Sequence, residues 1–444
     1  MSRLTAFLII GLAALGALWA AALWVTRPAA TYEGNAQAAR GVSLTVGEVD
    51  GEPRSIVDYA ALDARIQRLM ADPAMVGLAV AVVENGRIRF IKGYGETLEG
   101  SSEAVTTSTV FRWASLSKGV AGDMVALLAH DGSLSLSDPV SRWASSLRLP
   151  NGNEARTTVA DVLSHQTGLF GHAQDSKLED GLDPRWLRMS LATLNNICSP
   201  GTCHAYQNVA FDAASEVVER VTGRPYAEVV AERLFAPLGM RRASFGRAAL
   251  LSAQSWARPH RGGATPRTFD VVEPYYRVAA AGGVNGSIED LALWLIAQTG
   301  AVPAVLPPEV LRAVQSPRVL TPGENRRRRN YAERTTQAAY GLGWRVMDYA
   351  GRRVIGHHGG VAGYRSMILL DPQSRSGVVA LWNASTGLPS GLEYEVMDRL
   401  YGLDFRDWLR LDTPRGASPI GNEIVEAEEQ SAGAVRAARR APSR

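Results

Sequence analysis

Lysine is almost absent from this chain. Only Lys92, Lys118 and Lys177 occur among 444 residues, and nearly every other basic side chain is arginine. Acidic and basic residues almost cancel, at a formal charge of +3. That balance excludes a broad phosphate-binding surface, which needs concentrated cations, so no nucleic-acid partner is expected. Cysteine is scarcer still, with Cys198 and Cys203 alone. Two thiols with only His204 beside them do not make up a zinc ligand set, and no metal or organic cofactor is expected. No Gly-x-Ser-x-Gly occurs, which argues against the α/β-hydrolase route to a reactive serine. No internal repeat is visible.

Long apolar runs are also rare, and the one that stands out opens the chain. Residues 6–25 are apolar after Met-Ser-Arg. At about 1.5 Å per residue, about 20 residues match a hydrocarbon core of about 30 Å. A membrane anchor within residues 1–30 is the first reading. A signal peptide cleaved near Ala20-Ala21-Ala22 is the second, although its apolar region is usually shorter, roughly 7–15 residues. Either reading exports the remainder, to the periplasmic side of the inner membrane or outside the cell. The cysteines fit export. They lie in Cys198-Ser-Pro200-Gly201-Thr-Cys203, where Pro-Gly is a turn signal that can bring them together as a disulfide. Two free thiols, or half of a metal site, are the other readings.

Residues 31–50 are small and polar and read as a linker. A helix is expected over Tyr59–Met70, with Leu62, Ile66 and Leu69 on one face. Two apolar runs, 77–83 and 87–91, flank Asn85-Gly86, the pair preferred in tight hairpins. The middle, about 110–300, reads as mostly helical. One helix should run from Ser115 to about His130, with Val120, Met124 and Leu127 as its apolar stripe. Another should follow Asn208, burying Phe211, Ala214, Val218 and Val221 and stopping at Gly223. Strands return at 343–346, 352–355, 366–370 and 377–381. The expected fold class is α+β. One antiparallel sheet is built from N- and C-terminal segments and flanked by helices, with a mostly helical region inserted. A catalytic domain at 51–411 and a disordered tail at 412–444 complete the division. The run 326–329, four arginines, reads as a solvated loop, with anionic lipid or cell-wall contact as the lesser alternative.

Three stretches carry chemistry. The first is Phe111-Arg-Trp-Ala-Ser115-Leu-Ser-Lys118, at the opening of a predicted helix. A spacing of three puts Ser115 and Lys118 on one helical face, roughly 5–6 Å apart at Cβ. A serine hydroxyl needs a base, and a lysine can be that base or can assist another by its charge. The bland reading is a surface serine beside a salt-bridging lysine. The second is Tyr206-Gln-Asn208, where the phenol can relay protons and the amide can orient its neighbours; alone it is a turn tyrosine and a helix cap. The third is Gly356-His357-His358-Gly359-Gly360, placed between two predicted strands. Its glycines allow a substrate backbone to come close, and an N–H there can join an oxyanion hole. Alone it is a glycine-rich turn with a paired histidine.

These three stretches, in this order, resemble the serine β-lactamase and penicillin-binding-protein superfamily, in its class C β-lactamase-related branch. The resemblance runs from about Leu62 to Tyr401. It also includes His165-Gln-Thr-Gly168-Leu, Leu234-Phe-Ala-Pro-Leu-Gly-Met240, Ala281-Gly-Gly-Val284 and Tyr340-Gly-Leu-Gly-Trp344. It implies a β-lactamase/transpeptidase-like fold with the site between sheet and helical region. Ser115 would be the nucleophile, Lys118 its partner, and Tyr206 the general base. Asn208, His357, His358 and Gly359 would hold substrate, and the N–H groups of Ser115 and Gly360 would form the oxyanion hole. Many members carry Lys-Thr-Gly where this chain has His357-His358-Gly359. A neutral imidazole anchors a carboxylate less well than an ammonium. The resemblance therefore implies hydrolysis of a small ester, amide, peptide or β-lactam substrate, and weakens the case for strong β-lactamase activity. A D,D-peptidase of penicillin-binding-protein type, or a weak β-lactamase, is the alternative enzyme. A membrane-anchored, non-turnover sensor of cell-wall fragments is the alternative of another class.

Overall fold

The computed structural model describes residues 55–412. The expected anchor, the linker at 31–50 and the tail beyond Asp412 lie outside the described residues.

Among the described residues the main sheet has eight strands, all paired antiparallel. They are β1 (Gly77–Glu84), β2 (Arg87–Gly95), β3 (Val319–Leu320), β4 (Thr335–Tyr340), β5 (Arg345–Tyr349), β6 (Arg352–Val361), β7 (Tyr364–Asp371) and β8 (Ser376–Trp382). Their spatial order is β2-β1-β8-β7-β6-β5-β4-β3. The expected junction of the two chain ends is the β1–β8 pairing, with Leu78 opposite Trp382 and Val83 opposite Gly377. Asn85 and Gly86 both take positive φ, at 54° and 77°, as a tight hairpin turn demands.

Every residue of β1 is buried. Side chains alternate along a strand, so β1 serves two cores at once. Ala79, Ala81 and Val83 join one core, while Leu78, Val80 and Val82 join the other. The second core is covered by α1 (Tyr59–Met70), through Leu62, Ile66 and Leu69, and by a C-terminal helix, Leu392–Tyr401, through Leu392, Val396 and Met397. The first core receives α2 (Ser117–His130), α3 (Ala213–Thr222) and α4 (Ile288–Gln298). We label the C-terminal helix α5. The layers are thus helices, sheet, and a larger helical region.

Several expectations shift in detail. Among the described residues two small three-stranded sheets accompany the main one: the middle region pairs Phe111–Arg112 and Ser244–Phe245 with Val284–Gly286, and His260–Arg261 joins Arg267–Thr268 to Ala384–Ser385 from near the C-terminus. The helix expected from Ser115 begins as a 3-10 turn, Ala114–Leu116, and turns α-helical at Ser117. In α3, Val217 is buried and Val221 only half-buried. The stretch 356–360 is not a connection but lies inside β6, because its backbone pairs residue by residue with β7. The arginine run enters a short helix, Pro322–Arg327, and Arg328 is buried against Glu324 rather than solvated. Asp412, placed in the expected tail, is held by Arg65 at 2.6 Å and Arg68 at 2.7 Å.

Candidate active site

Ser115 sits in the 3-10 turn that leads into α2, and it is 8% exposed. The residue before it, Ala114, has φ of 49°. A non-glycine residue in that region stores about 1–3 kcal/mol of strain. Fixed contacts hold the turn. Ser117 Oγ donates to Ala114 O at 2.7 Å and accepts from Val284 N at 3.0 Å. From the sheet, Ser366 Oγ donates to Trp113 O at 2.7 Å. Gly359 lies so close to this turn that a Cβ there would strike Ser366 Oγ and Trp113 O. The glycine lets β6 run directly beside the serine.

One turn on, Lys118 is fully buried. Its Nζ donates to Ser115 Oγ at 3.2 Å, to Asn208 Oδ1 at 2.7 Å and to Ala281 O at 2.9 Å. Three acceptors around one nitrogen suit an ammonium, which has three donors and no lone pair. The same nitrogen lies 4.7 Å from the centre of the Tyr206 ring. Positive charge there favours negative charge developing on the phenol oxygen. Asn208 is fixed in turn, since its Nδ2 donates to Asp175 Oδ2 at 2.7 Å, and His172 Nδ1 lies 2.9 Å from the same oxygen.

On the sheet side, hydrogen bonds run from helical region to strand. Gln207 N donates to His165 Nδ1 at 3.1 Å, His165 Nε2 lies 3.2 Å from Tyr340 Oη, and Tyr340 Oη lies 2.8 Å from His357 Nε2. His357 Nδ1 ends the chain, 2.6 Å from His358 O. Burial, first of all, pushes both imidazoles well below their ordinary range. Neutral rings then admit one proton arrangement. The Gln207 N–H makes His165 Nδ1 an acceptor, so Nε2–H donates to Tyr340. Tyr340 donates to His357 Nε2, and His357 Nδ1–H donates to the His358 carbonyl.

The pairing of β5 with β6 runs only as far as Arg345 opposite Gly356. From His357 onward, the described strands pair β6 on its β7 side alone. A row of backbone groups therefore faces the cleft beside Ser115. Such a half-paired strand can take an extended substrate backbone.

Residues 62–400 match the family described as Beta-lactamase. The chain belongs to the beta-lactamase family. Among curated relatives, the D-alanyl-D-alanine-carboxypeptidase/endopeptidase AmpH of Escherichia coli strain K12 is 30% identical over 172 residues, covering 37% of this chain and 44% of that protein. Esterase EstB of Burkholderia gladioli is 31% identical over 201 residues, covering 42% of this chain and 51% of that protein. The alignments thus span about half the length of these relatives. In structure, the octameric penicillin-binding protein homologue from Pyrococcus abyssi superposes with a TM-score of 0.69 at 23% identity, over 78% of each chain. That likeness shows the fold. Both of these curated relatives are named for hydrolytic activities, one a carboxypeptidase/endopeptidase and the other an esterase.

Within this beta-lactamase-family cleft, Ser115, Lys118, Asn208 and Tyr206 come together, and Gly359 and Gly360 run alongside on β6. His357 faces the cluster, with its ring 6.2 Å from that of Tyr206, but both its nitrogens are engaged with Tyr340 and His358 O. His358 points to the opposite face of the sheet, where its Nε2 lies 2.9 Å from Glu393 Oε1 on α5. Alternation along β6 makes this unavoidable: neighbours in a strand cannot share a face. Cys198 and Cys203 form a disulfide, and the adjoining Ile197 N is held by Gly168 O at 2.8 Å. Among the described residues, no cluster of three or more potential ligands is arranged for a metal ion.

Two residues of the site went unread in the sequence. Asp175, 4% exposed, carries Asn208. Arg345, 5% exposed, lies with its Cζ 5.7 Å from the Tyr206 ring centre, and it pairs with Glu324 at 2.6 Å. Its charge is the second cause, after burial, that keeps His357 neutral. The one sequence signal for it is an arginine inside the apolar stretch Trp344-Arg345-Val346-Met347.

Proposed function

We propose that this chain hydrolyses ester or amide bonds through an acyl-enzyme on Ser115. The observation that carries the reading is the buried Lys118 Nζ 3.2 Å from Ser115 Oγ, fixed there by two further acceptors. In this reading Tyr206 starts as a phenolate, favoured by the neighbouring Lys118 charge, and takes the Ser115 Oγ proton as that oxygen attacks the substrate carbonyl carbon. The tetrahedral oxygen is held by the N–H groups of Ser115 and Gly360. Collapse expels the alcohol or amine, which takes the proton from Tyr206. Water then attacks the acyl carbon, losing a proton to Tyr206, and Ser115 recovers its proton as the acid leaves. Splitting one hard step in two is the gain.

Substrate class follows from what lines the cleft. The half-paired β6 edge favours an extended acyl or peptide backbone. The neutral His357, in place of an ammonium, favours substrates without a carboxylate at that point, hence esters and amides over classical β-lactams. The AmpH relative supports the second reading, a D,D-peptidase. The apolar run at 6–25 is proposed to tether the chain to the inner membrane with its catalytic domain outside, which membrane fractionation of the full chain tests.

The deciding experiment is active-site labelling by a fluorophosphonate. The parent should label and Ser115→Ala should not; equal labelling of both would overturn the mechanism. Rapid turnover of a nitrophenyl ester without trapping of a fluorescent penicillin identifies the esterase. Slow-releasing penicillin trapping identifies the peptidase.

A further inference from the structure

We propose that Asp175 is a positioning residue for the acylation step: it fixes the orientation of Asn208 and, through it, keeps the proton on Lys118. The inference rests on the reading of Ser115 and Lys118 given above.

An asparagine amide has two ends of nearly equal shape and opposite polarity. Lys118 needs the oxygen end. Nothing in Asn208 itself decides which end is presented. Asp175 decides it, because a carboxylate only accepts hydrogen bonds and so must face the NH2 group. The distances agree, at 2.7 Å from Nδ2 to Asp175 Oδ2 and 2.7 Å from Lys118 Nζ to Oδ1. One Nδ2 hydrogen is thereby committed to the protein, and a single one is left for a substrate carbonyl.

Charge is the second effect. Lys118 is surrounded by the Tyr206 and Phe211 rings, the Ser115 hydroxyl and the Ala281 carbonyl. The nearby imidazoles of His165 and His357 are neutral, and Arg345 adds a positive charge that bears on both. Asp175 joins the ammonium by two hydrogen bonds, in surroundings buried enough for its charge to be felt. His172 Nδ1 lies 2.9 Å from the same carboxylate oxygen, so Asp175 Oδ2 is held by two nitrogens at once.

The test uses the full chain and hydrolysis of a nitrophenyl ester from about pH 5 to about pH 10. Asp175→Asn keeps shape and removes charge. It should move the limb of the kcat/KM profile that Lys118 governs about one unit toward lower pH, with KM little changed. Asp175→Ala removes the orienting acceptor as well and should lower kcat on the order of 100-fold. Asp175→Glu should recover part of that loss. A folded Asp175→Asn with the parental profile overturns the proposal. So does an equal loss at every pH in both variants, which is what mere support would give. If Asp175→Ala fails to fold by circular dichroism, Asp175→Asn alone decides. A parent that is not labelled at Ser115 removes the mechanism itself; a labelled parent with an unmoved Asp175→Asn profile removes only this inference.

Discussion

Asp123 lies one turn beyond Lys118 on α2, fully buried, with Trp294 Nε1 donating to its Oδ2 at 2.8 Å and Gln298 Nε2 donating to the same oxygen. Burial pushes this carboxyl up to about 7. The unfolded chain releases the proton near the ordinary value of about 4, and the folded chain holds it until about 7. Between those limits the folded state binds more protons, so stability falls as pH rises. Asp123→Asn keeps the accepting oxygen and should flatten that decline, by a few kcal/mol at most. Melting temperatures of both proteins across this range check it; parallel curves would mean the carboxyl titrates normally. At this scale, the sequence showed Ser115, Lys118, Tyr206 and Asn208 through short spacings. Asp175 and Arg345 were hidden because their partners, Asn208 and Tyr206, come from distant segments. His358 takes the face opposite His357 because the stretch pairs as a strand, and a glycine-rich run gives no local sign of that alternation.

Between elements, a contact that positions the turn of Ser115 is α2 against the connection 341–344. Gly343 has φ of 79°, and a Cβ there would strike Lys118 O. Gly343→Ala should therefore cost about 3 kcal/mol and lower kcat, because the helix backbone at Lys118 must retreat. Gly132 supplies the control: its φ is 76°, but nothing lies within 4 Å of its Cβ position. Gly132→Ala should cost about 1 kcal/mol and leave kcat alone. Denaturant melts with ester kinetics on both variants test the contrast. Elements with strong apolar alternation, such as the β1–β2 hairpin and β8, were legible. The strand β4, Thr-Thr-Gln-Ala-Ala-Tyr, was not, because it owes its place to pairing with β5 rather than to its own composition. Arg326–Arg329 misled for a similar reason. Glu324, one turn earlier, draws Arg328 inward, and charge counting alone does not see it.

For the molecule as a whole, α1 and α5 come from opposite ends of the chain, and one arginine fastens them. Arg65 on α1 reaches Glu395 on α5 at 2.7 Å, Asp407 at 2.6 Å and Asp412 at 2.6 Å. Glu395 is completely buried. Arg65→Ala leaves that charge uncompensated and should cost about 3–5 kcal/mol in denaturant unfolding. Arg65→Met with Glu395→Leu should recover most of it, since the loss comes from the stranded carboxylate. An additive double variant would refute that account. The two-ended sheet was legible from strands at 77–91 and 343–381. This clasp was not, because sequence separation of 330 residues gives no local sign of it.

The partner of β1 has a further consequence for biogenesis. A ribosome that has reached Gly343 has already made the serine, the lysine and the phenol, yet it has made neither β6, which runs beside the serine, nor β8, which β1 must meet. The cleft beside Ser115 therefore waits for its sheet wall until the final stretch of synthesis. Chains cut short there would hold Ser115, Lys118 and Tyr206 without the strand that runs beside them or the strand that closes the sheet on β1.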